Sequence, residues 1–411
     1  MNIKVIGGVY REYCAWPKHI NLLGSAGRAA LCLVQLSKQT SVELHSSFSE
    51  NDVKPLTEKF AFTSCKIVNS PAEQTTEFFY DHPLATPSIY PNAAHFTELP
   101  VFRVTDYEND NVLLFGMYEK TPVVSAKNVI YDPQNTHCPR LYSEKGAKAE
   151  RLIYVLNRTE LTLLFNRFNA EQITNLEIMA SWLLKQEDAY AIVVKCGSKG
   201  AFAYLADGTS ERIPAYQTQV VSPIGSGDSF VAAFAHYSLA RDMDVFEATR
   251  LASIATAFYV QKGTMTVDTN LVSFAETLTP HKFDTKVERK RVYLAGPFFN
   301  MGQMWLINQC KACLEEAGLD VFSPYHELGI GPAEVVAPED VKAIEECDIV
   351  YALFDDHDPG TLFEIGYAIK ANKPVVIYSE KSSDEHLKMY EGTGCLIERD
   401  FATSIYRVAW M

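Results

Sequence analysis

Two short runs of this chain hold residue types that can do chemistry. In Asp358-Pro359-Gly360-Thr361-Leu362-Phe363-Glu364, two carboxylates stand six positions apart. The run follows Ile349-Val350-Tyr351-Ala352-Leu353-Phe354, an apolar stretch that reads as a buried strand, and it opens an amphipathic helix. Strand-to-helix turns of this kind are where open α/β sheets place their ligands. A carboxylate held near a helix N-terminus is expected to stay ionised and can be aimed at an electron-poor carbon. In Ile224-Gly225-Ser226-Gly227-Asp228, a glycine-rich turn leads into the apolar pattern Ser229-Phe230-Val231-Ala232-Ala233-Phe234. Glycines there let backbone N–H groups approach a phosphate, and Asp228 can accept the proton of an attacking hydroxyl. The plainer alternatives are a first-turn glutamate favoured by the helix dipole and an aspartate that only caps a turn.

Positioning these groups requires a layered scaffold, and the pattern supplies one. Strand-like apolar runs at residues 1–7, Val129-Ile130-Tyr131-Asp132, Ile153-Tyr154-Val155-Leu156 and Ala191-Ile192-Val193-Val194 alternate with helical periodicity. Helices are predicted over 24–36, 159–167, 170–185, 227–241, 245–261 and 304–317. Such alternation marks parallel α/β layers. Between about Val42 and Leu114 the helical period is lost, and runs such as Glu77-Phe78-Phe79-Tyr80 and Val101-Phe102-Arg103-Val104 alternate with Pro-rich turns. That stretch reads as a small inserted antiparallel sheet. Residues 280–290 are charged and lack an apolar period, so they read as a linker between domains at 1–279 and 291–411.

A chain of 411 residues can build two cores. Its 47% apolar and 12% aromatic content is that of a globular protein. A formal net charge of −14 argues against nucleic acid or an anionic membrane as a general partner and suits small neutral substrates. The nine cysteines are scattered. Cys310 and Cys313 have a CxxC spacing, but they fall inside a predicted helix with no second Cys/His pair following, so reduced thiols are expected. No run reaches the ~18 apolar residues that span a bilayer, and a cytoplasmic location is expected.

The Gly225-Ser226-Gly227-Asp228 run resembles the C-terminal signature of ribokinase-like (PfkB-type) sugar and nucleoside kinases, and the resemblance extends over about residues 1–278. It implies a three-layer α/β fold with a small β lid, ATP and Mg²⁺ as cofactors, and Asp228 as base beside Gly225, Ser226 and Gly227. Asn157-Arg158-Thr159-Glu160 is similar to the family's Asn-x-x-Glu segment, which implies phosphate binding at Asn157 and an indirect Mg²⁺ role for Glu160. The run Val193 to Ala201, including Gly197, is similar to its nucleotide-binding strand and turn, and residues 252–263 to the helix and loop beside the adenine. Two substrate-side positions depart from the pattern. Glu12 stands where the family commonly has Asp, and Arg28 where it commonly has Asn; both positions normally hold sugar hydroxyls.

From about Lys290 onward the chain resembles the nucleoside 2-deoxyribosyltransferase family, through Tyr293-Leu294-Ala295-Gly296-Pro297-Phe298 and the Asp358-to-Glu364 run. This implies a flavodoxin-like parallel α/β domain without a cofactor. It makes Glu364 the nucleophile, Tyr293 its orienting partner, Asp340 the acid that contacts the base, and Asp358 the holder of the sugar 5′-hydroxyl. Gly296, Pro297 and Phe298 would line the base. Asp340 is read as preceding the helix that ends at Glu345-Glu346, and Asp355 and Asp356 as solvated loop charges. The family completes its pocket with a C-terminal Asn from a neighbouring subunit, which implies a homo-oligomer; no such residue can be placed in Met389 to Cys395. Hydrolysis and base exchange both stay open. The expectation is a bifunctional enzyme acting on nucleosides or pentoses, with a nucleotide-sensing kinase fold or a scaffold without catalysis as alternatives.

Overall fold

The computed structural model describes residues 1–92, 99–104, 107–135, 138–170, 173–281, 289–329 and 331–411. Most of the expected linker, residues 282–288, lies outside the described residues. The chain forms two compact units, one of Met1–Thr218 with Ser222–His281, the other of Gln219–Val221 with residues from the linker onward.

The first unit is built on a nine-stranded sheet in the order Ser210–Ile213, Ala201–Leu205, Ala191–Lys195, Ala149–Asn157, Ala126–Asp132, Tyr107–Phe115, Asn2–Ile6, Ser41–Ser46, Cys65–Asn69. Pairing is parallel from Cys65–Asn69 across to Ala191–Lys195, and the last two strands are antiparallel. Both faces of the central strands are apolar. Val112, Leu114, Val129, Tyr131, Tyr154, Leu156, Ile192 and Val194 share a core with residues of helices Arg158–Phe168 and Leu176–Glu187. The alternate residues Leu113, Ile130, Ile153, Val155 and Val193 are equally buried. Period-two side chains buried on both faces require helices on both, and Gly24–Leu36, Ser226–Ala235 and Val245–Lys262 supply the second layer.

The small sheet differs from the expected insertion. Its order is His19–Leu22, Arg11–Cys14, Glu77–Tyr80, Ser88–Tyr90, so two of its strands precede the first helix, and the Arg11–Cys14 pairing with Glu77–Tyr80 is parallel. Within the stretch assigned to the insertion, Ser41–Ser46, Cys65–Asn69 and Tyr107–Phe115 belong to the main sheet, Val53–Lys59 is a helix, and Val101–Arg103 pairs with Thr121–Val123. Short parallel strands bury one face each and carry the same alternation as antiparallel ones, so pattern alone does not separate them. Two helices also shift. The second of the pair after Asn157 begins at Leu176 under an Asn175 cap, and the helix after Gly225 passes into a π-helical turn at His236–Ala240.

The second unit is a five-stranded parallel sheet, Asp320–Phe322, Arg291–Ala295, Ile349–Leu353, Val375–Tyr378, Leu396–Glu398. Numbered along this unit the order is 2-1-3-4-5, the flavodoxin-like winding, which opens a crevice where strand order reverses, between Arg291–Ala295 and Ile349–Leu353. Among the described residues no helix is long and apolar enough to cross a membrane.

Candidate functional sites

At that switch point three predicted residues meet. Tyr293, fully buried on the first strand, donates its hydroxyl to Glu364 Oε1 at 2.6 Å. Glu364 stands in the second turn of helix Pro359–Lys370, whose N-terminus is capped by Asp358 Oδ2 accepting from Thr361 N at 2.8 Å and Thr361 Oγ1 at 3.0 Å. That cap leaves Asp358 Oδ1 free of protein donors among the described residues. Asp340 faces Tyr293 from a third element, and its Oδ1 is buried without a hydrogen bond among the described residues. Asp340 does not precede its helix. It lies well inside Ala333–Glu346, which runs through Pro338.

The electrostatics depart from the expected ionised Glu364. Although the residue is half-buried as a whole, its carboxyl end is enclosed, and burial pushes it up to about 8, with the Tyr293 bond pulling it back and Asp340 and Asp358 adding to the rise. Burial also raises Asp340. Two neighbouring carboxyls held away from water cannot both carry charge cheaply, so the pair is suited to one acid and one base. Carbon-13 titration of the Glu364 carboxyl should give a midpoint near 8. Tyr293→Phe removes a donor that stabilises the carboxylate, so the midpoint should move higher still. An unshifted titration in the ordinary carboxylate range would contradict this geometry.

The other predicted residues here are placed as walls or anchors. Gly296 lies so close to Leu353 and Ile307 that a Cβ would come within 3.0–3.1 Å of both side chains. Pro297 is buried, and Phe298 stacks on Phe299 at 5.2 Å and tilts against Tyr325 at 5.3 Å. Asp355 is no solvated charge. It accepts from Ser379 Oγ at 2.6 Å and from the N–H groups of Glu380, Lys381 and Ser382 at 2.9–3.1 Å, which depress its pKa and pin the loop after Val375–Tyr378. Asp356 accepts from Gln303 Nε2 at 2.6 Å. Asp348 accepts from Arg291 N at 2.7 Å, tying the start of one strand to the next. Cys310 and Cys313 are buried free thiols, both raised by burial.

In the first unit, Gly225 takes φ +81° at the N-cap of Ser226–Ala235, and no side chain caps that helix. Ser226 N–H donates to Pro223 O at 2.9 Å, which leaves the N–H groups of Gly227 and Asp228 for an anion. Asp228, buried in the first turn, is bound on both oxygens: Oδ2 by Arg28 Nη1 at 2.7 Å and Oδ1 by Gln134 Nε2 at 3.1 Å. Burial raises its pKa, against the pull of Arg28. Arg28 reaches back to Glu12 on the small sheet, with Nη1 on Oε1 at 3.1 Å and Nη2 on Oε2. Its guanidinium lies so close to Gly225 that a Cβ there would sit 2.1 Å from Nε. The departures at positions 12 and 28 are thus one buried ion network joined to the predicted base.

Asn157 and Glu160 form the capping box of helix Arg158–Phe168, each side chain bonding the other's backbone N–H at 2.8 Å. Glu160 is buried, and burial and Asp132 raise its carboxyl. Gly197, at φ +55°, opens the turn between Ala191–Lys195 and Ala201–Leu205. Three residues beyond the predicted set complete the pocket. Lys195 Nζ reaches Asp132 Oδ2 at 2.5 Å, and Gln134 bridges Asp132 to Asp228. All three stand at or just past the carboxyl ends of parallel strands, the signal that could have marked them.

Two family models match the chain, one at each site. The pfkB family carbohydrate kinase model matches residues 123–270, which include Asp132, Asn157, Glu160, Lys195 and Asp228 but neither Glu12 nor Arg28. The nucleoside 2-deoxyribosyltransferase model matches residues 292–399, with Tyr293, Asp340, Asp358 and Glu364. Among curated proteins, 5-dehydro-2-deoxygluconokinase of Listeria innocua is 31% identical over 147 residues, 35% of this chain and 43% of that protein. The same-named protein of Shouchella clausii is 35% identical over 80 residues, 20% of this chain and 24% of that one. The chain thus spans less than half the length of these relatives. Among solved structures, ribokinase from Thermotoga maritima has 15% identity and a TM-score of 0.49, covering 67% of this chain and 99% of that one. The nucleoside kinase of Methanocaldococcus jannaschii has 17% identity and a TM-score of 0.47, covering 67% and 98%.

Proposed function

We propose that this chain, which joins a pfkB-family region to a nucleoside 2-deoxyribosyltransferase-family region, carries two activities of nucleoside metabolism. Residues 291–411 cleave or exchange the N-glycosidic bond of a (2′-deoxy)nucleoside, and residues 1–279 phosphorylate a nucleoside or pentose, both acting in the cytoplasm. The observation that carries the first assignment is the 2.6 Å bond from Tyr293 to Glu364 beside the buried, unpaired oxygen of Asp340.

Glu364 first passes its proton to the neighbouring Asp340; the resulting carboxylate attacks C1′ as the C1′–N bond breaks, and its ester replaces that bond. The departing base takes the bonding pair and a proton from Asp340. Water or a second base then opens the ester and gives its proton to Asp340, and Glu364 leaves as a carboxylate oriented by Tyr293. Rapid quenching with a 2′-deoxynucleoside, followed by peptide mass spectrometry, should find a deoxyribosyl group on the peptide containing Glu364. Base release with no such adduct at any quench time would overturn the covalent route.

Asp358 Oδ1 is free to accept the sugar 5′-hydroxyl. A 5′-phosphate would repel it and forfeit that bond, a loss of ~1–3 kcal/mol or roughly a 5- to 150-fold preference for nucleosides over 5′-monophosphates. Comparing kcat/KM for the two checks this, and Asp358→Ser should shrink the ratio. A wild-type preference for monophosphates would replace the nucleoside reading with a nucleotide N-hydrolase one.

In the first unit, the acceptor hydroxyl loses its proton to Asp228 as its oxygen attacks the γ-phosphorus of ATP and ADP departs. The helix N-terminus at Gly227 and Asp228, with Lys195 close to Gly227, would receive the phosphates. Among the described residues no three His, Cys, Asp or Glu side chains gather for a metal. Asp132 is committed to Lys195 and Gln134, so Mg²⁺ would arrive with ATP and be held indirectly by Glu160. Bound there, Mg²⁺ would neutralise phosphate charge. The salt bridge from Arg28 to Asp228 favours a second reading, a kinase fold kept as a nucleotide sensor. ATP binding without turnover would mark it. The name of the curated relatives adds a sugar acid to the acceptors worth testing.

A further inference from the structure

The pocket around Asp228 has a charge balance that bears on what it can accept. Arg28 is 2% exposed, Glu12 6% and Asp228 7%, so the three share one dry network. Its planar fork is already committed. Nη1 serves Glu12 Oε1, Gly24 O and Asp228 Oδ2, and Nη2 serves Glu12 Oε2. Nε donates to no partner among the described residues, but it is pressed against Gly225. An Arg fork is the usual receptor for a carboxylate because two parallel N–H groups match its two oxygens. Here Glu12 occupies that place.

The charges then sum to one excess negative: two carboxylates against one guanidinium. The neighbouring Asp132 and Lys195 cancel each other, and Glu160 beside them, pushed up to about 8 by burial and Asp132, adds no positive charge. Glu119 stands beside Tyr10 with both carboxyl oxygens enclosed and in no hydrogen bond of normal geometry among the described residues, and burial pushes it up to about 7. It adds no positive charge. We infer that Arg28 acts as an internal clasp rather than an anion receptor, so that with Glu12 and Asp228 it restricts the phosphoryl acceptor to neutral or cationic polyols and excludes sugar acids. This rests on the kinase reading above. An acid entering beside Asp228 would have to displace Glu12 from Arg28 and leave that carboxylate buried and unpaired, or sit against net negative charge.

The test uses the full chain with ATP-Mg²⁺ and two acceptors of one carbon skeleton, D-ribose and D-ribonate, with a nucleoside in parallel. Ribonate kcat/KM should be at least about tenfold below the better neutral acceptor, equivalent to one factor of 1.36 kcal/mol. Glu12→Gln keeps the shape and frees part of the fork, so the ribonate-to-ribose ratio should rise about tenfold or more. Calorimetric binding of the same compounds keeps the two readings apart. Ribose or nucleoside binding with ribonate excluded, but no transfer to any acceptor, would support the charge selection and defeat the kinase reading. Ribonate handled as well as ribose by the wild type, or a ratio unmoved by Glu12→Gln in a folded protein, would overturn the inference while leaving the kinase reading standing. No binding of any of them would overturn both.

Discussion

Glu364→Ala should lower base release or exchange at least about 10³-fold, which is ~4 kcal/mol at 1.36 kcal/mol per decade. The carboxylate proposed to form the bond to C1′ is removed outright, and Asp340, whose proposed partner is the base, would not replace it. Phosphoryl transfer should be largely unaffected, because Glu364 and Asp228 belong to different compact units with separate cores. The two activities measured on one preparation also serve as a folding control for each other. Normal glycosidic cleavage by the variant would remove Glu364 from the mechanism.

Asp228→Asn should produce the opposite split. A positioned general base contributes roughly 10²–10⁴-fold, and the amide keeps the size while losing the basic lone pairs. It would also leave Arg28 facing Glu12 alone, so some loss of stability is expected along with loss of phosphoryl transfer. Glycosidic activity should persist. Phosphoryl transfer at wild-type rates in Asp228→Asn would exclude Asp228 as the base.

Much of this arrangement was legible because the groups lie close to the elements that aim them. Gly225 to Asp228 and Asp358 to Glu364 each sit within one turn-and-helix, so their spacing already placed them at helix N-termini. The Tyr293 and Glu364 pairing was implied by the resemblance to the transferase family, not by spacing. What escaped depends on long-range contacts. Arg28 meets Asp228 across 200 positions. The anchoring of Asp355 depends on a loop 24 to 27 residues away. The place of Asp340 inside its helix was not legible because Pro338 stands two residues before it, and proline ordinarily marks a helix start rather than an interior. In Ala333–Glu346 the proline instead forgoes one interior hydrogen bond. The small sheet was misjudged since Arg11–Cys14 and His19–Leu22 are only four residues each, and the first finds its parallel partner beyond residue 76. The raised Glu364 could not be read from a helix dipole alone, because burial beside a second carboxyl outweighs it.

The central claim is that one chain carries two separable chemistries on nucleosides. A panel of ribo- and 2′-deoxynucleosides incubated with the wild-type chain, with and without ATP-Mg²⁺, and resolved by mass spectrometry into free base, free or transferred sugar and phosphorylated products tests it most directly. The account predicts base release or exchange in both arms and a phosphorylated nucleoside or pentose only in the arm with ATP-Mg²⁺. Free base absent from every nucleoside in both arms, or phosphorylated product absent from every acceptor, would contradict it.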